Sequence, residues 1–499
     1  MRERVSIGIP GLDEVLSGGL LVNQSYLIVG SAGTGKTLSS LQWLASCADE
    51  GKTALFITLA EPLENVLRNV SNFTWNLDKL HCVDLNPTSD RFENRREEYT
   101  VFPPSDVERA PMWSGMYDAI NEVEPDCVVI DSVTQLHYLS TDDYQFRRHL
   151  LAFVTFLREK GCTSILTFEP TELERGVSVG LAVDGILRLR MEISPNRLTG
   201  LRSVEIQKMR GSDFISGLHP LRITEEGLRV YPHRIEKPGD TKPGTKILSS
   251  GIDNLDKLIG GGLESGTATI MSGPSGVGKS TLAMQFLTEA AKKGERAVYY
   301  TFEESPRSIV ARAHAIGLPV KEQLASGMLE IVRVNPMELF PDEFLSMVRM
   351  AIEEEGRNAI VIDSLRGYEL AMEEFGSLVA NIQNLVTFLN RKAVTTVLIN
   401  EVEKITGDLM PTEVGVSYLS DSVLLLRYAE KEGRVVKVIS CLKKRYGTFD
   451  TALSELTITG DGIKVSKPLN TFTGILSGAP KAPSSSEDGT MQSATTPRT

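Results

Sequence analysis

One eight-residue signature occurs twice in the sequence, and its chemistry is specific. Gly30-Ser31-Ala32-Gly33-Thr34-Gly35-Lys36-Thr37 and Gly273-Pro274-Ser275-Gly276-Val277-Gly278-Lys279-Ser280 both satisfy G-x-x-x-x-G-K-[ST]. In such a loop the backbone N–H groups surround nucleotide phosphates, the lysine reaches the β- and γ-phosphates, and the last hydroxyl ligates magnesium. Each copy follows an apolar, strand-like run (Ser25 to Val29; Ala268 to Met271) and opens a helix-like one (Leu38 to Ala48; Thr281 to Lys292). That setting is the one the motif requires, so two sites for ATP and Mg2+ are expected, with Thr281 completing the second nucleotide-contacting set.

Carboxylates supply the next chemistry. Cys127-Val128-Val129-Ile130-Asp131 and Ala359-Ile360-Val361-Ile362-Asp363 are continuous apolar runs ending in Asp, as expected of buried parallel strands. Placed beside the loop hydroxyls Thr37 and Ser280, Asp131 and Asp363 would hold the water shell of the metal. A third element distinguishes the copies. Lys279 is followed by Glu303-Glu304, whereas the matching step from Lys36 reaches Ala60-Glu61. Transfer of a phosphoryl group needs a carboxylate that orients the incoming oxygen nucleophile, so the second site carries the pair and the first keeps only Glu61.

The elements that position these groups form an internal repeat. Gly8 and Gly251, Asp13 and Asp256, Gly19 and Gly262, and Lys36 and Lys279 are all 243 residues apart. A period this long makes each copy a complete domain with its own core rather than a solenoid unit. The boundaries expected are a first domain at 1–232, a linker at 233–246 around the proline-rich PHRIEKPGDTKPGT, a second domain at 247–478, and a disordered Pro/Ser/Thr-rich tail at 479–499. The stretch from Pro87 to Pro104 reads as an insertion, either a solvated surface loop or a partner-binding one. The fold class is α/β: two P-loop NTPase domains with mainly parallel central sheets.

Composition bounds the partners. With 41% hydrophobic and 24% charged residues, and no long apolar span or leader-like segment, a cytoplasmic protein with no membrane contact is expected. The five cysteines lie far apart, with no C-x-x-C pair, and suggest neither zinc nor disulfides. A net charge of −12 disfavours nucleic acid as the main partner.

Two loops with TFEE after the second, VIDS at both acidic strands, and Gly415-Val416-Ser417-Tyr418 near the C-terminus resemble the KaiC family of tandem RecA-like ATPases. The resemblance spans about residues 4 to 478. It implies double-ring homo-hexamers with ATP at subunit interfaces, a first domain that chiefly hydrolyses ATP, and a second that phosphorylates neighbouring Ser and Thr residues. Carried over by position, Glu303 becomes the base of the kinase step and Glu304 its support. Ser417 falls on the first of two phosphoacceptor positions, with Tyr418 on the second and Thr412 on a nearby transient one. The pairs Lys208 and Arg210, and Lys443 and Arg445, match the basic residues that reach a neighbour's γ-phosphate. Two departures stand out: Ala60 replaces the first Glu of the first domain, and the tail diverges after Gly478, which removes support for a KaiA-like partner. KaiB-like or histidine-kinase signalling partners fit the family.

The resulting expectation is an ATPase with Ser/Thr autokinase activity acting in a circadian clock or a related signalling role. Two other classes compete: a RecA-like DNA-remodelling ATPase, which would need a basic groove with aromatic platforms, and an ATP-assembled scaffold with little turnover. ATPase assays with and without single-stranded DNA separate the first two.

Overall fold

The computed structural model describes the chain except for residues 1, 88–103, 141, 170–178, 194–199, 237–243, 337–338, 373–376, 403–418, 432 and 470–499. The insertion, the tail, Thr412 and Ser417 therefore lie wholly or largely outside the described residues. The chain divides into two compact units, Met1–Arg234 and Ile235–Thr499.

Continuous apolar runs form the central strands, because a strand covered by helices on both faces has no solvent side. In the first unit these are β1 (Ser25–Val29), β2 (Ala54–Thr58), β3 (His81–Asp84), β4 (Cys127–Asp131), β5 (Thr163–Phe168), β6 (Gly185–Ile193), β7 (Gly200–Met209), β8 (Leu218–Thr224) and β9 (Gly227–Val230). Their spatial order is β9-β8-β7-β6-β1-β5-β4-β2-β3. The six strands from β6 to β3 run parallel, and β6 to β9 form an antiparallel meander.

Period-two alternation sends neighbouring residues to opposite layers. Leu27 and Val29 pack with Phe146, Leu150 and Phe153 on one face, whereas Tyr26 and Ile28 pack with Leu41, Trp43 and Leu44 on the other. Two helical layers thus enclose the sheet.

The second unit repeats the plan. Its strands are β10 (Ala268–Gly273), β11 (Ala297–Thr301), β12 (Leu329–Arg333), β13 (Ala359–Asp363), β14 (Thr395–Glu401), β15 (Ser422–Lys431), β16 (Arg434–Lys444), β17 (Ser454–Thr459) and β18 (Gly462–Pro468). They order as β18-β17-β16-β15-β10-β14-β13-β11-β12, the same arrangement strand for strand. In both sheets the strand leading into the phosphate loop is flanked by strands reached through long crossovers, and a crevice opens beyond its C-terminal end. The expectation of two mainly parallel α/β domains holds.

Glu236 falls in the stretch read from sequence as an irregular linker, yet it is buried within the second unit. Its carboxylate accepts from the guanidinium groups of Arg349 and Arg391, and its backbone N–H donates to Asn384 at 2.7 Å. Two arginines supply the compensation that burying a carboxylate requires, a pairing that proline and glycine content could not reveal.

Candidate nucleotide sites

Each phosphate loop joins a strand to a 14-residue helix, Lys36–Asp49 or Lys279–Lys292. The residue preceding each helix is a glycine with positive φ, 104° at Gly35 and 116° at Gly278, a conformation that side chains with a Cβ rarely adopt. Glycine also leaves the first-turn N–H groups uncapped, so they and the positive helix end face the space above the loop.

Both lysines fold back over their loops. Lys36 Nζ donates to the carbonyls of Gly30 (2.7 Å) and Ser31 (3.2 Å) and pairs with Glu169 at 2.7 Å. Lys279 Nζ donates to Gly273 and Pro274, each at 2.8 Å. Burial pushes the Lys279 ammonium below the usual lysine range, against the opposing pull of Glu401, Asp363 and Glu303.

The metal-type groups also converge. Thr37 Oγ1 donates to Asp131 Oδ2 at 2.6 Å. In the second unit the Tyr299 hydroxyl donates to Asp363. Among the described residues no three His, Cys, Asp or Glu side chains cluster to hold a metal on their own. One hydroxyl and one carboxylate, all hard oxygen donors, suit a magnesium ion that keeps several waters and takes its other ligands from phosphates.

A cavity of about 490 Å³ opens over the second loop, lined by Lys279, Ser280, Glu303, Glu304, Arg312 and Asp363 among others. Glu303 is exposed to it and accepts from Ser364 Oγ at 2.8 Å. Glu304 is held differently: both its carboxylate oxygens accept from Arg312 Nη1, at 2.7 and 2.6 Å. The first unit lacks both arrangements. Ala60 occupies the Glu303 position, and Asn69, which stands in place of Arg312, makes one 3.3 Å bond to Glu61. The backbone is nonetheless alike: Thr58 donates to the Glu61 carbonyl (2.5 Å) as Thr301 donates to that of Glu304 (3.0 Å).

The structure does not bring Lys208, Arg210, Lys443 or Arg445 to the loop of their own domain. Lys208 sits on β7 opposite Ile186, next to Gly185, and Gly185 pairs with Tyr26, four residues before Gly30, or about 13 Å along β1. Its ammonium donates to the carbonyls of Gly180 (2.6 Å) and Val183 (2.7 Å), while Arg210 lies beside Asp184. Lys443 likewise donates to the Ser420 carbonyl at 2.6 Å, and Arg445 pairs with Asp421 at 3.2 Å. Desolvation, reinforced by the adjacent arginine, lowers the pKa of both lysines. All four stand at the strand-start end of their sheets, opposite the phosphate loops.

Sequence reasoning missed Glu169, Glu401, Thr167, Tyr299 and Arg312. Glu169 and Glu401 were detectable, since the 232 residues between them equal the separation of Asp131 and Asp363.

Two sheets of identical order, each placing a phosphate loop, a strand-end Asp and a helix N-terminus at one crevice, define a tandem RecA-like P-loop ATPase. The family description for the KaiC ATPase matches residues 5–235 and again 248–470, and the chain belongs to this family. Curated relatives are similar over almost their whole lengths. The circadian clock protein KaiC3 of Synechocystis sp. is 27% identical, with 97% of this chain and 96% of the relative covered. Circadian clock oscillator proteins KaiC of Prochlorococcus marinus and Parasynechococcus marenigrum are 28% and 26% identical, covering 96% of this chain and 95% and 93% of their own lengths. Among the described residues no helix is long and apolar enough to cross a membrane.

Proposed function

We propose that the chain is a cytoplasmic, hexamer-forming ATPase and Ser/Thr autokinase whose second site performs transfer and whose first site holds ATP with slow turnover. The observation that carries this reading is the asymmetry of the acidic pair: Glu303 is exposed in the cavity with Ser364 fixing one oxygen, and Ala60 leaves the first site without its counterpart. In the second site Glu303 accepts the proton of a Ser hydroxyl as the oxygen attacks the γ-phosphorus. The bond to the β,γ-bridging oxygen breaks and ADP departs. Lys279 and the loop amides hold the phosphates. Ser280 and Asp363 there, and Thr37 and Asp131 in the first site, would hold magnesium, which would neutralise phosphate charge. Lys208 with Arg210, and Lys443 with Arg445, stand at the end of their sheets opposite their own loops, where they would complete a neighbour's site around the ring in an arginine-finger arrangement.

Labelled ATP with magnesium, followed by mass-spectrometric mapping, tests the kinase half of the reading. Label is expected at Ser417, and Ser417→Ala should remove most of it while leaving hydrolysis largely intact. Full label on that variant would move the acceptor to Thr412 or Ser420. A clock or related signalling role fits the names of the relatives, and KaiB-like or histidine-kinase partners are part of the same proposal.

Assembly supplies a second expectation. A site completed by a neighbour gains contacts only when subunits close around nucleotide, so ATP should drive hexamer formation. Lys36→Ala should weaken the hexamer more than Lys279→Ala, because the first ring acts as the platform. Light scattering that shows equal hexamer in the nucleotide-free protein contradicts this.

A further inference from the structure

The carboxylate that closes the acidic strand is oriented by a hydroxyl in both domains, but the hydroxyl comes from a different strand in each. In the first domain Thr167 on β5 donates to Asp131 Oδ1 while Thr37 donates to Oδ2. The facing position on β2 is Phe56, fully buried and without a polar atom. In the second domain the counterpart of Thr167 is Ile399, which pairs directly with Asp363 in the sheet register and is also fully buried. Here β11 supplies the donor: Tyr299, the counterpart of Phe56, donates to Asp363 Oδ2. Phe56 with Thr167 has thus become Tyr299 with Ile399. One site takes its hydroxyl from one neighbouring strand, the other from the strand on the opposite side, and neither site has both.

The exchange has a physical consequence. A half-buried carboxylate beside a metal position, like Asp131 or Asp363, needs a fixed donor to set its direction, and outer partners of this kind govern metal affinity. Tyr299 is fully enclosed in the core, with its hydroxyl directed at the Asp363 carboxylate. We propose that Tyr299 is a positioning residue for the metal–nucleotide complex of the second site, supplying from β11 the carboxylate-orienting hydroxyl that Thr167 supplies from β5 in the first. This rests on the reading that both sites bind ATP with magnesium.

Manganese, a paramagnetic substitute for magnesium, reports the binding directly through loss of the free-ion electron paramagnetic resonance signal in the presence of ADP. The full-length parent should show one binding phase per site, and the phase abolished by Lys279→Ala belongs to the second. Tyr299→Phe should weaken that phase by about 10- to 100-fold and leave the other in place. Phenylalanine is what the first domain carries at this position, so the variant should fold. Adding Ile399→Thr should restore affinity to within about threefold of the parent, since the hydroxyl returns from the other strand. An unshifted second phase in Tyr299→Phe overturns the proposal. So does a shift that Ile399→Thr fails to reverse, which would mark a loss of packing. A parent with no phase removed by Lys279→Ala overturns both this proposal and the reading beneath it.

Discussion

Replacing Glu303 with Gln is expected to lower phosphoryl transfer and second-site hydrolysis by on the order of 10²-fold or more, the usual scale of a general-base contribution. The amide keeps the shape of the side chain and can still accept the hydroxyl bond that Ser364 makes to Glu303, so the pocket should stay in place. What disappears is the capacity to take a proton as the nucleophile attacks. Nucleotide affinity should hardly change, because Lys279 and the loop amides lie on the phosphate side of the cavity. Glu304→Gln makes the informative comparison. That carboxylate already accepts from Arg312 on both oxygens, an arrangement suited to holding the loop in place and poorly suited to receiving a proton. Single-turnover measurements that show equal losses for the two variants would remove Glu303 from the base role.

Local features of this protein were legible in its sequence because their signals are contiguous. The phosphate loops, the helices they open and the apolar strands ending in Asp131 and Asp363 each occupy one short run, and the constant 243-residue spacing from Gly8 to Lys36 exposes the duplication. The missing site residues are set by strand pairing. Thr167 and Tyr299 meet the acidic residues only because β5 and β11 lie beside β4 and β13, an adjacency no local pattern carries. Arg312 lies two turns into the helix Pro306–Ala315 and becomes relevant only once that helix folds back over the Glu304 turn. Lys208 and Lys443 show the converse. Their basic clusters were conspicuous, yet the register of β7 and β16 places them at the end of the sheet remote from their own phosphate loops, so neither lysine serves the loop of its own domain.

Restoring the absent carboxylate tests the reading of the first site from the opposite direction. Ala60→Glu, made in a Glu303→Gln background so that turnover reports the first site, should raise ATP hydrolysis by about tenfold or more if the vacated base is what limits it. The surroundings favour this outcome. Ala60 is exposed, its carbonyl is fixed by Asn86 Nδ2 at 2.7 Å, and Ser132 follows Asp131 as Ser364 follows Asp363 in the second site. Glu61→Gln should matter only if Glu61 has taken over the missing role, which its long contact with Asn69 does little to support. If Ala60→Glu gains less than expected, Asn69→Arg should be added, because in the second site Arg312 pins the neighbouring glutamate and with it the turn that aims Glu303. Hydrolysis unchanged in the double replacement, with the hexamer intact by light scattering, would show that the first site is slow for a reason other than its missing base.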